Sequence, residues 1–263
     1  MERKYKIALC QTLVEDEKGA NLAKVARFVI KAASNGAAMI CLPEIWNCPY
    51  DVKVMADTAE PENGRTVAFM SELAHGEKIY LVGGSIPERD GDRVYNTSFV
   101  FDPNGRLIAK NRKTHLFDVD IDGGVKFKES DTFSPGNGPA VFDTAFGKVG
   151  LAICFDVRYP EMFAEMRDKG AHLVFLPAQF NTVTGPAHWE LLMRSRGVDN
   201  QLFFAACSAA RNMRAKYKSW GHSMIATPYG DLCGVIDERE GIVYGEIDLD
   251  YMDNVKRQIP LPR

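Results

Sequence analysis

The sequence predicts an α/β fold in one domain covering residues 1–263, and two observations carry that prediction. Short apolar runs alternate with longer amphipathic ones along the whole chain, and no low-complexity linker or charge block separates the two halves. The 263 residues are 46% hydrophobic and 25% charged, a composition that supplies a sizeable core and argues against wholesale disorder.

Each element can be justified in order. "YKIALCQ" and "AAMICLPE" read as strands, separated by "ANLAKVARFVIKAA", whose apolar positions recur at helical spacing. A helical "TVAFMSELAHG" precedes the strand-like "IYLVGGSIP", "VYNTSFVFD" and "GRLIAKNRK". Between the last two, "DPNG" at 102–105 carries the turn chemistry of a hairpin. The second half repeats the theme with "KVGLAIC", a helix near "PEMFAEMRDKG", the strand "AHLVFLPA" and the helix "GPAHWELLMRSRGVDN". "QLFFAACSA", "GHSMIATP", "GDLCGVI" and "GIVYGEID" follow as strands. Residues 115–139, rich in Asp, Gly, Lys and Ser, read as one long loop, which inside a compact domain is uncommon and often functional.

Composition excludes several classes. Lys+Arg number 32 against Asp+Glu 35, so the basic excess of a nucleic-acid binder is missing. "MERKYKIALCQ" passes from charge directly into a strand without an apolar h-region, and no apolar run reaches the roughly 18 residues of a membrane helix. The six cysteines form no C-x-x-C pair, and without export they are expected to be reduced thiols of a cytoplasmic protein. His75, His115, His172, His188 and His222 lack metal-ligand spacing, and "GGS" at 83–85 lacks the lysine of a phosphate loop, so neither metal nor cofactor is expected.

Three polar residues terminate strand-like runs: Glu44 after "MICLP", Lys113 after "LIAKNR" and Cys154 after "VGLAI". In α/β folds, reactive groups gather at strand ends. A carboxylate can take the thiol proton, because the thiolate is the nucleophile. An ammonium can favour the thiolate and stabilise a tetrahedral oxyanion, with the peptide N–H of Phe155 as a second donor. Bland readings compete. Glu44 also fits a surface cap, Lys113 a solvated basic stretch with Lys110 and Arg112, and Cys154 a small buried hydrophobe. Cys48 is a rival nucleophile, but it precedes Pro49 and has no following helix.

"LPEIWNCPY", "NRKTHLFD" and "GLAICFDVRYPE", in this order, resemble the glutamate, lysine and cysteine motifs of the nitrilase superfamily of carbon–nitrogen hydrolases. The resemblance runs from residue 5 to about residue 260. It implies an αββα sandwich, dimerised into an αββα–αββα stack, and a Glu44, Lys113 and Cys154 triad. "VKFKES" resembles the family's second glutamate motif and places that role on Glu129. "FNTVTGPAHWELLMRSRGVDNQ" and "YKSWGHSMIATPYG" are similar to the omega-amidases, which hydrolyse the terminal amide of dicarboxylic acid monoamides such as α-ketoglutaramate. "DVDIDGGV" and Tyr229 in "TPYG" depart from that pattern.

A small-molecule amide retaining a carboxylate needs a cationic anchor. Arg158 is the candidate nearest the nucleophile, ahead of Arg194 and Arg196. Tyr50, His115 and Trp189 are candidates for the pocket wall. A homodimer is expected from the resemblance and from "KRQIPLPR", read as an extended arm. Two other readings differ in substrate or class. An N-carbamoyl amine hydrolase would demand an acidic pocket, and a non-catalytic scaffold would be marked by loss of a triad residue.

Overall fold

The computed structural model describes residues 2–122 and 125–261. The first half runs β1 (Lys4–Gln11), α1 (Lys18–Ser34), β2 (Met39–Cys41), α2 (Val52–Thr58), α3 (Arg65–Glu77), β3 (Tyr80–Val82), β4 (Ile86–Asp90), β5 (Arg93–Phe101) and β6 (Leu107–Arg112). A small hairpin, β7 (Asp118–Asp120) and β8 (Lys126–Lys128), leads into the second half. There follow β9 (Ala140–Thr144), β10 (Gly147–Leu151), α4 (Pro160–Asp168), β11 (Ala171–Ala178), α5 (Gly185–Asn200) and β12 (Phe203–Ser208). The chain continues through β13 (Met224–Ala226), β14 (Leu232–Val235), β15 (Gly241–Asp248) and α6 (Leu249–Gln258).

Two sheets form, in the orders β15-β1-β2-β3-β5-β4, with β6 beside β5, and β14-β13-β12-β11-β10-β9. Each has three parallel central strands with antiparallel neighbours. Strand alternation explains the layering. Along β12, Phe203, Ala205 and Cys207 point between the sheets, while Phe204 and Ala206 point to the helices. Ile7 and Leu9 of β1 meet Phe175 of β11 and Phe203 in the inter-sheet core. Val25, Val29, Met70 and Ala74 of α1 and α3 cover the outer face of the first sheet. Phe163, Met166, Trp189 and Met193 of α4 and α5 cover the second. The order is helix, sheet, sheet, helix.

Several expectations need correction. "IYLVGGSIP" is two strands, because the chain breaks at Gly83 and Gly84 and both pieces pair with β5. Gly84 has φ +62°, and a Cβ there would stand 2.0 Å from the carbonyl oxygen of Pro43. The 115–139 stretch contains the β7–β8 hairpin rather than loop alone. In "KRQIPLPR", Lys256 to Gln258 belong to α6, so an extended arm begins no earlier than Ile259. Pro262 and Arg263 lie outside the described residues. The "DPNG" turn is present. Asp102 Oδ1 accepts the Asn104 and Arg106 N–H groups at 2.8 and 2.9 Å, and Gly105 takes φ +75°.

Candidate active site

Glu44 follows β2, Lys113 follows β6 and Cys154 follows β10, so strand ends from both sheets meet at one place. Local backbone geometry presents the two outermost members of the set. Cys154 has φ +47° and opens a 3₁₀ turn, Cys154–Arg158, ahead of α4. Ile45, the residue after Glu44, has φ +45° and donates its N–H to Ser85 Oγ at 3.1 Å. Left-handed backbone at a β-branched residue is strained, and such strain persists only where surrounding contacts impose it.

The polar core of the site is fully buried. Lys113 Nζ donates to Glu44 Oε1 and Glu129 Oε2, both at 2.8 Å, and all three side chains have no exposed surface. Asn96 Nδ2 donates to Glu44 Oε1 at 2.9 Å and to Glu129 Oε1 at 3.0 Å. The other Glu44 oxygen accepts the Gln179 N–H at 2.9 Å, while Gln179 Nε2 donates to the Glu44 carbonyl at 2.5 Å. Tyr50 O–H donates to Glu44 Oε1 at 3.4 Å. The Phe117 N–H donates to Glu129 Oε2 at 2.6 Å. Each carboxylate is therefore held by several donors, as burial demands.

Burial sets the titration of these groups. It raises the Glu44 carboxyl above its ordinary range, with Glu129 adding to the rise and Lys113 opposing it. Burial also raises the Cys154 thiol, helped by Glu44 and opposed by Lys113. For Lys113, burial acts downward, but Glu129 and Glu44 outweigh it and hold the ammonium charged. A thiolate formed by losing a proton to bulk water would be costly here. Passing that proton to Glu44, its hydrogen-bond partner, leaves the net charge of the cluster unchanged. The arrangement can therefore make a nucleophile internally.

A small cavity, about 190 Å³ of empty space including its mouth, opens over Cys154. Phe117, Phe155, Phe180 and Tyr217 supply its aromatic wall, with Gln179, Thr184 and Arg158 as its polar groups. Arg158 sits in the 3₁₀ turn rather than at the start of the helix, and its guanidinium lies 5.4 and 5.5 Å from the Phe155 and Phe180 rings. Tyr50 lies one layer away, packed on Tyr217 at 4.6 Å between ring centres.

Two candidates stand elsewhere. Trp189 is not part of the cavity lining: its ring packs on Phe180 at 5.2 Å and its indole N–H donates to the His222 carbonyl at 2.6 Å. Helical periodicity turns it into the core under the second sheet. His115 does not line the cavity either. Its N–H and Nδ1 meet Asp156 Oδ1 at 2.8 and 2.9 Å, and the other Asp156 oxygen accepts the Ile153 N–H at 3.0 Å. His115 thereby ties the loop after Lys113 to the turn that carries Cys154. Arg194 donates to Gly230 and Arg196 to the Val157 carbonyl, both away from the cavity. Cys48 does not line the cavity; it packs in an apolar cluster with Met55 and Phe133, where burial raises its thiol to about 11.

Sequence reasoning passed over Asn96, Gln179 and Tyr217. For Gln179 a signal exists: "LPAQ", which ends β11 and places Gln179 just beyond it, echoes "LPE" after β2, and these are the middle strands of their parallel sets. Among the described residues no three His, Cys, Asp or Glu side chains gather as a metal-ligand set, and no helix is long and apolar enough to cross a membrane.

Comparison with known proteins finds relatives that match along nearly the whole chain. The chain is 44% identical to the omega-amidase NIT2 of Homo sapiens over 259 residues, covering 98% of this chain and 94% of that protein. It is 43% identical to the omega-amidase NIT2-B of Xenopus laevis over 260 residues, covering 99% and 94%. The crystal structure of Saccharomyces cerevisiae Nit3, a member of branch 10 of the nitrilase superfamily, matches with a TM-score of 0.93 at 39% identity, covering 100% of this chain and 97% of that one. A family model, carbon–nitrogen hydrolase, matches residues 6–257. The chain therefore belongs to the carbon–nitrogen hydrolases of the nitrilase superfamily.

Proposed function

We propose that this enzyme is an omega-amidase, hydrolysing the terminal amide of a small dicarboxylic acid monoamide such as α-ketoglutaramate through a thioester on Cys154, without a cofactor. The relatives named omega-amidase support the class. The observation that carries the substrate reading is Arg158. It is the one charged side chain among the described residues lining the cavity, and no carboxylate among the described residues pairs with it. A half-buried guanidinium with no acidic partner among the described residues is suited to gripping a substrate carboxylate.

The chemistry balances within the cluster. Glu44 takes the Cys154 proton and the thiolate adds to the amide carbonyl carbon, with Lys113 and the Phe155 N–H facing the developing oxyanion. The C–N bond breaks as Glu44 returns the proton to the leaving nitrogen, releasing ammonia. Water then loses a proton to Glu44 and attacks the thioester. The C–S bond breaks and the proton returns to sulfur. Glu129 holds Lys113 in place throughout.

An N-carbamoyl amine is less well supported, because a cationic substrate meets Arg158 and no lining carboxylate among the described residues. Glutamine should also be poor, since its α-ammonium would stand near a guanidinium in a shielded pocket. Ammonia release from α-ketoglutaramate, glutamine, N-carbamoylputrescine and butyramide tests the reading. Arg158→Met should impair α-ketoglutaramate far more than butyramide. Faster turnover of N-carbamoylputrescine, or equal losses in the variant, would remove it.

The 263 residues are read as one domain, since both sheets share the inter-sheet core. The six unpaired cysteines support a cytoplasmic setting. A homodimer is supported by apolar side chains exposed on and beside α5, Leu191 at 65% and Tyr229 at 56% among them. Light scattering giving a monomer mass at micromolar concentration would overturn that assembly.

A further inference from the structure

Arg158 differs from Arg112 and Arg196, two other arginines largely withdrawn from water. Arg112 is gripped by Glu88 and Asp90, and Arg196 is paired with Asp199 at 3.2 Å. Arg158 Nη2 instead lies 3.1 Å from His188 Nδ1, and its Nε has no partner among the described residues. A guanidinium has donors only, so Nδ1 accepts, the ring proton is on Nε2 and the imidazole in this contact is neutral. Burial lowers the Arg158 pKa, only partly opposed by Cys154, yet a guanidinium stays charged at neutral pH, so the site holds a cation with no carboxylate partner among the described residues.

We propose that His188 is a positioning residue that aims Arg158 into the cavity while leaving its charge unneutralised, and thereby sets selectivity for amides bearing a carboxylate. This rests on the reading of Arg158 as the carboxylate anchor. The support of His188 is rigid. It lies in the first turn of α5, its N–H bonded to the Thr184 carbonyl at 2.9 Å, and its neighbour Trp189 is locked in the core. Farther along α5, Arg196 Nε donates to the Val157 carbonyl at 2.9 Å, so the helix also grips the turn that carries Arg158. An acid in place of His188 would orient the guanidinium equally well, but it would cancel the charge that substrate needs. A neutral acceptor does the first without the second.

The test compares His188→Asn with His188→Asp, which match in shape and differ in charge, assayed on α-ketoglutaramate and butyramide beside Arg158→Met. Asparagine keeps an acceptor near the position of Nδ1, so KM for α-ketoglutaramate should stay within about threefold of wild type, whereas His188→Ala should raise it about tenfold. Aspartate should raise that KM by about thirtyfold or more, with kcat and the butyramide reaction changed less than about threefold. Equal KM values for the asparagine and aspartate variants would overturn the proposal. If the aspartate variant does not fold, the asparagine and alanine variants decide: rescue by asparagine supports the role and equal loss in both overturns it. Should Arg158→Met fail to discriminate the two amides, the anchor reading falls and this inference with it. Discrimination by Arg158→Met without any asparagine–aspartate difference overturns only the role of His188.

Discussion

Arg112 and Lys113 are consecutive cations where β6 ends, and each joins a different charge cluster. Lys113 and Asn96 share one face of the β5–β6 pair, and Lys113 donates its N–H to the Asn96 carbonyl at 2.8 Å. Their side chains enter the buried cluster of Glu44 and Glu129. Arg112 and Thr97 are paired on the opposite face and converge on Glu88 instead. There Arg112 makes two hydrogen bonds to Glu88 at 2.8 and 2.9 Å, Lys110 adds a third at 3.1 Å, and the guanidinium stacks over Tyr95 at 3.7 Å. The outer cluster satisfies its charges among themselves and retains solvent contact. The inner one lies beside a thiol, with two carboxylates around one ammonium, all three fully withdrawn from bulk solvent. Alternation along a strand separates an ion-pair network open to solvent from a buried one beside a thiol within a single residue.

The comparison would break most completely at the nucleophile. Cys154→Ala should abolish ammonia release while circular dichroism shows the fold retained, because the attacking atom is gone and nothing else in the cluster replaces it. Substantial turnover in the purified variant would falsify the assignment of the inner cluster as catalytic.

The next largest effect separates the two neighbouring cations. Lys113→Ala should lower kcat by about 10²–10³-fold, the cost of losing one oxyanion donor, and Lys113→Arg should rescue poorly because a planar fork does not fit a compact ammonium's place. A change confined to KM would make Lys113 a binding residue.

Disabling the outer cluster should do the reverse. Glu88→Gln should cost about 2 kcal/mol of stability, since three charged hydrogen bonds are weakened, with kcat close to wild type. Burial acts to raise the Glu88 pKa, but Arg112, Thr97 and Lys110 together bring it below its ordinary 4.5. A carboxyl lowered in the folded state stabilises above its unfolded pKa and loses that contribution as pH falls through the folded one. The stability gap between Glu88→Gln and wild type should therefore be full at neutral pH and close in acid below about pH 4. Denaturant midpoints across pH check this, and a gap that widened in acid would contradict it. The smallest effect concerns Cys48→Ala, which should retain most activity, because that thiol is raised by burial and does not line the cavity over Cys154.

Much of the fold was legible because it rests on periodicity. The alternating runs of β1, β11, β12 and β15 and the helical spacing of α1, α3 and α5 each bury one face or both, and local pattern reveals that. The short α2 and the three-residue strands β7 and β8 carried no such pattern, being too brief for a period to register. The break in "IYLVGGSIP" was written as two glycines, but the reason for it is a carbonyl from another segment, Pro43, pressed against Gly84.

By itself, the sequence placed Glu44, Lys113 and Cys154 at the ends of strand-like runs, and resemblance to a family motif added Glu129, before any contact was known. Only the tertiary structure decided that these four meet, that Asn96 and Gln179 hold the carboxylates, and that Trp189 faces the core. It alone distinguished Lys113 from Lys110 and Arg112, and gave Arg158 a neutral partner instead of an acid. The physical reason is that residue type and period are local properties of a chain. Burial, dielectric environment and the pairing of charges depend on segments brought together from far apart, such as Glu44 and Gln179, 135 residues away in sequence.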